Sequence, residues 1–135
     1  MFVHEEKIRV RYAETDQMGY VYYGNYAAYY EVARTEMLRK TGFSYKELED
    51  MGVMMPVLDM QIKYLQPAKY DSLLTIKVII KEKPAIRIKF EYEVYNEEGI
   101  LLNLGSTQLV FVDKTKNRPC KAPEIFMKKM EPYFG

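Results

Sequence analysis

The chain has 135 residues, of which 48% are hydrophobic and 29% charged, and its 20 basic and 19 acidic residues give a formal net charge of +1. This balance excludes the basic surface typical of nucleic-acid-binding proteins. No apolar stretch is long enough to cross a bilayer, and the first residues lack the layout of a signal peptide. A single cysteine excludes a disulfide framework and a cysteine metal cluster. We therefore expect one soluble, cytoplasmic domain over residues 1–135.

Tyrosine is unusually frequent near the N-terminus. The chain has 13 Tyr and no Trp, and seven of the tyrosines fall between Tyr12 and Tyr30. A tyrosine has an apolar ring and a polar tip, which suits the half-buried walls of clefts and subunit interfaces. Simple filling of strand and helix faces is the other interpretation, and the composition does not decide between them.

The first elements in chain order are a strand, an ordered loop and a long helix. Alternation over residues 7–12 predicts a half-buried strand, and residues 14–24 have no periodicity. From Asn25 the spacing becomes helical, with Asn25 as N-cap and Gly42 just past the end. Its apolar face contains Tyr26, Tyr29, Tyr30, Ala33 and Met37. Its polar face contains Glu31, Arg34, Glu36, Arg39 and Lys40.

The rest of the chain reads as strands with two short helices. Residues 44–51 predict a helix with Ser44 as its cap, and residues 123–130 a short closing helix. The predicted strands are 58–64, 74–80, 86–95 and 100–112, the last two joined by a hairpin turn at residues 96–99. Tight turns make the last three strands an antiparallel meander. We expect an α+β fold in which a five-stranded antiparallel sheet curls around the long helix.

One helix cannot cover every apolar side chain of such a sheet. We therefore expect part of the sheet to be buried against a second copy, which predicts a homo-oligomer.

The loop before the long helix carries the candidate chemistry. Asp16 is followed by the flexible Gly19 and then by the helix start. The first N–H groups of a helix are unpaired and can hold an oxyanion. A carboxylate beside them can act as a general base or as a nucleophile. A capping or turn role for Asp16 is the competing interpretation, and Glu14 shares the ambiguity because it lies two residues away.

Two segments of the chain are similar to a known family. Residues 12–26, YAETDQMGYVYYGNY, followed by EVARTE at 31–36, resemble the signature of the 4-hydroxybenzoyl-CoA thioesterase family, above all its YbgC-like branch. Residues 62–71, IKYLQPAKYD, resemble its second conserved region. The resemblance implies a hotdog fold and hydrolysis of acyl-CoA thioesters without metal or organic cofactor. It also implies a tetramer built from dimers.

The resemblance assigns roles to particular residues. Asp16 matches the catalytic carboxylate and Tyr23 the helix-start amide that holds the oxyanion, and Gly24, Asn25 and Tyr26 line the same turn. Many YbgC-like members carry His where this chain has Tyr23, so that imidazole is missing here.

At the CoA end, the resemblance and the need of phosphates for cations indicate Lys83 and Arg87, from a cluster that also includes Lys81 and Lys89. A solvated strand face explains these cations equally well. Met54, Met55 and Met60 are candidates for an acyl tunnel or for plain core packing.

Three functions remain open from the sequence. The first is an acyl-CoA thioesterase acting on a small or medium acyl chain. The second is a thioesterase acting on acyl groups carried by acyl carrier protein, since a basic rim would serve either donor. The third is a non-catalytic hotdog module that binds acyl-CoA or a protein partner, which the absence of the histidine favours.

Overall fold

The computed structural model describes residues 1–134, and a five-stranded antiparallel sheet is its main element. The sheet has the strand order β1-β4-β5-β6-β3. These strands are β1 (Phe2–Arg9), β3 (Val57–Tyr64), β4 (Leu73–Ile80), β5 (Arg87–Tyr95) and β6 (Leu101–Val110). A second sheet joins three two-residue strands, β2 (Val53–Met54), β7 (Val112–Asp113) and β8 (Arg118–Pro119). The β4-β5-β6 meander confirms the predicted order of the last three long strands.

The sheet wraps around the long helix α1 (Tyr26–Lys40), and the core lies between them. Two shorter helices, α2 (Tyr45–Asp50) and α3 (Glu124–Met130), contribute the buried side chains of Leu48, Phe126 and Met130 to this core. The predicted apolar face of α1 is confirmed, since Tyr26, Tyr29, Tyr30, Ala33 and Met37 are all buried. Tyr30 stacks on Tyr92 of β5 with ring centroids 4.0 Å apart. This α+β arrangement is the hotdog fold.

Arg34 departs from the prediction. Its side chain is on the buried flank of α1, with only 8% of the residue exposed, rather than on the polar face. The reason is its spacing, because it lies one turn after Tyr30 and shares that side of the helix. Its Nη1 atom reaches the Tyr92 hydroxyl at 3.5 Å.

The first strand begins and ends earlier than predicted. It covers Phe2–Arg9 and pairs along its whole length with β4, from Phe2 opposite Ile80 to Arg9 opposite Leu73. The predicted strand end at Tyr12 is wrong, since that residue is 79% exposed in a 3₁₀ turn. The turn forms because the Arg11 backbone N–H donates to the Glu14 carboxylate at 2.8 Å, which bends the chain out of the sheet.

The helix ends test three predicted capping residues. Asn25 is not a side-chain cap, because its backbone is already helical in a 3₁₀ turn, Tyr23–Asn25, and its Nδ2 donates to the Glu14 carbonyl at 2.8 Å. Ser44 caps α2 as predicted, its Oγ accepting from the Glu47 N–H at 3.2 Å. Gly42 follows α1 with φ of 84°, the left-handed conformation expected after a helix.

Strand β3 forms one edge of the sheet and is largely uncovered. Of its eight residues, seven are exposed and Ile62 is partly buried. The exposed fractions of Val57, Leu58, Met60 and Tyr64 lie between 36% and 49%. An exposed apolar edge strand is an unusual feature in a stable monomer.

Within residues 1–134 no helix has the length and hydrophobicity needed to span a membrane.

Candidate active site

The loop before α1 contains a tight hairpin, and Asp16 is the residue at which its three-residue turn begins. The Asp16 N–H donates to the Tyr20 carbonyl at 2.8 Å and the Gly19 N–H to the Asp16 carbonyl at 3.0 Å. Gly19 has φ of 78°, which a residue with a side chain adopts only at a cost. This is the geometry of a three-residue hairpin loop that closes on a left-handed glycine, so the sequence fixes the direction of Asp16 locally.

The hairpin is fastened to the segment that leads into β4. The Val21 N–H donates to the Ala68 carbonyl at 2.8 Å, and the Tyr70 N–H donates to the Gly19 carbonyl at 3.0 Å. An isolated bridge also pairs Tyr20 with Lys69. The two segments that carry the family resemblance, around Asp16 and around Pro67, are therefore in direct contact.

The Asp16 carboxylate is half-buried and oriented by the backbone. Its Oδ1 atom accepts from the Met18 N–H at 2.9 Å and from the Tyr20 N–H at 3.2 Å. Among residues 1–134, Oδ2 accepts no hydrogen bond. One oxygen therefore holds the group in place while the other is free of hydrogen bonds from the described chain, so Asp16 can stabilise the turn and still take part in chemistry.

The start of the helix lies at the base of the same hairpin. The Tyr22 N–H donates to the Glu14 carbonyl at 2.9 Å, after which Tyr23 opens the 3₁₀ turn that runs into α1. The Tyr23 and Gly24 amides are the first of that turn and have no acceptor within it, and the Tyr22 side chain does not cap them. A Cβ on Gly24 would meet the Tyr22 ring at 2.6 Å, so glycine lets this ring lie over the turn.

Glu14 connects the elements that meet here. Its carboxylate accepts from the Arg11 backbone N–H at 2.8 Å, from Arg11 Nη2 at 3.2 Å and from the Tyr29 hydroxyl at 3.0 Å. Burial raises the pKa of this carboxyl, but the hydrogen bonds from Arg11 and Tyr29 outweigh burial and hold the pKa below its usual value. Glu14 is thus an ionised anchor of the loop, a role that the sequence left ambiguous beside Asp16.

Tyr26, predicted at the substrate turn, is 3% exposed and packs beneath it. Its ring lies 5.8 Å from that of Tyr64, at the end of β3, and burial raises the pKa of Tyr26 to about 12. Tyr23, by contrast, is 65% exposed. The turn therefore packs on the buried ring of Tyr26 and exposes the ring of Tyr23 to solvent.

A cavity of about 520 Å³ adjoins Asp16. Tyr12 and Tyr70 stand on its walls in an edge-to-face pair, with centroids 5.7 Å apart. Residues 23–26 do not line it, so the structure joins Asp16 and the helix start through the hairpin and not through this cavity.

The two predicted phosphate-binding cations are far from this loop within one subunit. The Asp16 hairpin contacts residues 68–70, just before β4 begins, whereas Lys83 and Arg87 lie exposed beyond the other end of β4. Eight strand residues separate the two regions, which corresponds to roughly 25 Å. A single subunit does not bring these cations to Asp16.

Comparisons with known proteins identify the family of this chain. Residues 18–103 match the model of the thioesterase superfamily. The chain is 38% identical over 117 residues to the acyl-CoA thioester hydrolase YbgC of Escherichia coli, which covers 87% of each chain.

Solved structures give the same result. A DHNA-CoA thioesterase from Staphylococcus aureus superposes with a TM-score of 0.85 and 34% identity, over 99% of this chain and 85% of that one. A Thermus thermophilus protein of unassigned function, TT1821, gives a TM-score of 0.88 and 32% identity over 95% and 97%. The chain belongs to the thioesterase superfamily.

Proposed function

We propose that the protein is an acyl-CoA thioesterase that hydrolyses small or medium acyl-CoAs without a metal or organic cofactor. The observation that carries the proposal is the hairpin that holds the Asp16 carboxylate by Oδ1 and leads directly into the unpaired amides of the helix start. Thioester hydrolysis needs these two parts. One is a group that activates water or attacks the carbonyl carbon itself, and the other is a hydrogen-bond donor to the oxyanion.

In the proposed reaction the thioester carbonyl oxygen accepts the Tyr23 N–H. With Asp16 as general base, water adds to the carbonyl carbon while Oδ2 takes its proton. The tetrahedral oxyanion then collapses, the C–S bond breaks, and the proton passes to the CoA thiolate. The products are a carboxylic acid and free CoA. Direct attack by Oδ2 is the alternative route and would pass through a mixed anhydride that water cleaves.

Removing the carboxylate tests the proposal. Asp16→Asn keeps an oxygen that can accept from the Met18 and Tyr20 amides, so the hairpin should stay intact. We expect thiol release from short, long and aromatic acyl-CoAs to fall by about 100-fold or more. Asp50→Asn is the matched control, because Asp50 is exposed on α2 and its ion pair, with Lys46, is also exposed. Unchanged thiol release in Asp16→Asn would refute the role of Asp16.

The same assay distinguishes the other functions. Faster hydrolysis of an acyl carrier protein thioester than of the matching acyl-CoA would identify the carrier as the donor. Tight acyl-CoA binding without thiol release at any chain length would indicate a binding module.

We further propose that the protein forms a dimer through β3. This strand pairs with β6 on one side only, and its apolar residues are exposed. Two-fold pairing of β3 with its copy would bury them and remove a free edge. Because such pairing is antiparallel, the Val57 end of one copy would lie beside the Tyr64 end of the other.

This geometry supports a role for Lys83 and Arg87. Arg87 is opposite Val110 and Val57 is opposite Leu109, so these cations are at the Val57 end of the sheet. In the dimer that end faces the helix start of the second copy, where Tyr26 meets Tyr64. We therefore assign Lys83 and Arg87 to the phosphates of CoA bound by the other subunit.

Two variants test the dimer and this assignment. Met60→Lys should yield a monomer in sedimentation, and Arg87→Ala should raise KM more than it lowers kcat. A monomeric wild-type protein would contradict both assignments.

A further inference from the structure

A second cavity, of about 440 Å³, lies between α1, α2, strand β2 with the two residues that follow it, and Leu109 of β6. Its walls are mostly apolar and consist of Leu48, Val53, Met54, Met55, Pro56 and Leu109. Two polar side chains, Arg34 and Tyr45, also line it, and two exposed carboxylates, Glu31 and Glu49, stand at its margin. It is a different cavity from the one beside Asp16 and shares none of its residues.

The cation in this cavity is incompletely satisfied. Arg34 is 8% exposed, and its buried Nε has no hydrogen-bond partner within residues 1–134. Its recorded contact is the Tyr92 hydroxyl, at 3.5 Å from Nη1, and Tyr92 is itself bonded to Thr107 at 2.6 Å. Among residues 1–134, no carboxylate forms an ion pair with Arg34. A guanidinium offers five N–H donors, so most of its capacity is unused.

Tyr45 shows the same deficit. Its hydroxyl is buried beside the Arg34 guanidinium, and within residues 1–134 it makes no hydrogen bond of normal geometry. Burial raises the pKa of Tyr45 to about 12, so it is a protonated donor. Burial opposes the charge of Arg34, and the neutral hydroxyls of Tyr92 and Tyr45 beside the guanidinium offset that burial only as hydrogen-bonding dipoles. The cavity therefore presents a permanent cation and a free hydroxyl within an apolar enclosure.

Buried charge without a counter-ion is costly, and buried donors are normally satisfied. A carboxylate is the group that completes this set, since it can accept from Arg34 Nη2, which forms no hydrogen bond within residues 1–134, while the Tyr45 hydroxyl lies beside the same guanidinium. The apolar walls then require an apolar body attached to that carboxylate. The exposed carboxylates of Glu31 and Glu49 oppose every anion at the mouth. A ligand with an apolar body offsets this repulsion by burying that body against the walls, which a small hydrated anion does not do.

We propose that the Arg34 cavity is a binding site for a monocarboxylate with a short apolar body, held by Arg34 and Tyr45. The ligand has two possible sources, a free carboxylic acid or the far end of an acyl chain that carries a terminal carboxylate. The cavity lies at the Val57 end of the sheet, which the proposed dimer places next to the helix start of the second copy. The second source rests on the proposed function, whereas binding of a free acid does not.

Titration of two matched probes tests the site. Hexanoate and 1-hexanol have the same apolar body, and ¹³C-methyl NMR of Met54 and Met55 reports occupancy of this cavity. We expect both methyl signals to shift with hexanoate and its Kd to be at least tenfold lower than that of hexanol. Equal affinity for the two probes, or shifts elsewhere but not at Met54 and Met55, would overturn the proposal.

Variants identify the groups that bind. Arg34→Met should weaken hexanoate at least tenfold, and Tyr45→Phe should weaken it severalfold. Arg39→Met is the matched control, since it removes an exposed arginine of the same helix that pairs with Glu36. Unchanged hexanoate affinity in Arg34→Met would refute the site. If Arg34→Met does not fold, Tyr45→Phe alone decides, since it removes one buried oxygen that has no partner.

A stability measurement separates this role from a purely structural one. A ligand-binding cation buried without a counter-ion should be dispensable for folding, so Arg34→Met should melt at or above the wild-type temperature without ligand. A clear fall in Tm would assign Arg34 to the scaffold instead. The binding titration is repeated in Asp16→Asn, where hexanoate affinity at Met54 and Met55 should be unchanged even if hydrolysis fails.

Kinetics then identify the source of the carboxylate. Adipoyl-CoA and hexanoyl-CoA differ by a terminal carboxylate. A fall of at least tenfold in the adipoyl to hexanoyl ratio of kcat/KM in Arg34→Met assigns the cavity to the acyl chain. An unchanged ratio, together with Arg34-dependent hexanoate binding, assigns it to a free acid.

Discussion

At the N-terminal end of α1, the half-buried carboxylates of Glu14 and Asp16 both accept hydrogen bonds from the surrounding chain. Two turns further along the same helix lies Arg34, beside Tyr45 of α2, and each contributes a buried polar atom that has no hydrogen-bond partner in the part of the chain that the structure describes. The two regions differ in what the protein itself provides. Side chains that are already hydrogen-bonded within the protein hold a fixed geometry before substrate arrives. Buried donors without a partner are rare in native proteins, and a bound ligand is one way to supply the missing acceptor. The first region is a preorganised site, and the second has the properties of a receptor.

The largest expected effect comes from breaking the support that the two regions share. Tyr30 lies on α1 between them, and a Cβ on Gly105 of β6 would lie 2.7 Å from its hydroxyl and 2.6 Å from the Gln61 carbonyl. Gly105→Val should therefore displace Tyr30 from Tyr92 and lower the free energy of unfolding by about 3 kcal/mol or more. Chemical denaturation measures this. Gly52→Val is the control. A side chain at Gly52 would meet no atom within 4 Å, so this variant measures the cost of valine at a positive φ without any steric overlap.

Both regions should be affected by that change, since the helix carries both. If Gly105→Val impaired thiol release but left hexanoate binding at Met54 and Met55 intact, the two regions would not share one support.

The next effect is confined to the N-terminal region. Glu14→Gln removes the charge that accepts from Arg11 and Tyr29, so we expect a loss of about 1–2 kcal/mol in unfolding free energy at neutral pH. The pKa of Glu14 is lowered from 4.5 in the folded protein, so its contribution is complete above that pH and is lost as pH falls through the lower folded value. The difference between wild type and variant should therefore shrink below pH 4.5.

Urea denaturation at a series of pH values measures this difference. A gap between wild type and Glu14→Gln that stays constant into the acid range would show that the carboxylate is not the stabilising form. Loss of thiol release with an unchanged unfolding free energy would move Glu14 from the scaffold to the chemistry.

The fold was largely predictable because its elements have strong periodicity. The buried stripe of α1 follows from spacing alone, as do the alternating faces of β5. The small β2-β7-β8 sheet was not predicted, since two-residue strands have no period to detect. The cap at Asn25 failed because a distant acceptor, the Glu14 carbonyl, takes its side chain. Local sequence rules do not include such a competitor.

The two regions also differ in how far the sequence indicates them. Asp16 and the turn at Tyr23 lie on one continuous segment, so pattern and resemblance both point there. Arg34 looked like a solvent-facing residue, because its burial depends on Tyr92, which is 58 residues away along the chain. The one local signal was its position four residues after the buried Tyr30.

A matched pair of tyrosines gives the finest test of the contrast. Tyr29→Phe removes a hydroxyl that donates to Glu14 at 3.0 Å, and Tyr45→Phe removes a buried hydroxyl that has no partner. The first should cost about 1 kcal/mol, while the second should be neutral or slightly stabilising, because no bond is lost and a desolvated polar group is removed. Both changes delete one hydroxyl oxygen, so the difference between their losses of unfolding free energy, measured by chemical denaturation, reports whether that hydroxyl had a hydrogen-bond partner. With hexanoate present, Tyr45→Phe should become the less stable protein relative to wild type, since ligand binding adds to the stability of the form that binds it more tightly. Equal losses in the two variants without ligand would show that the Tyr45 hydroxyl is satisfied in solution, and the receptor interpretation of that region would fail.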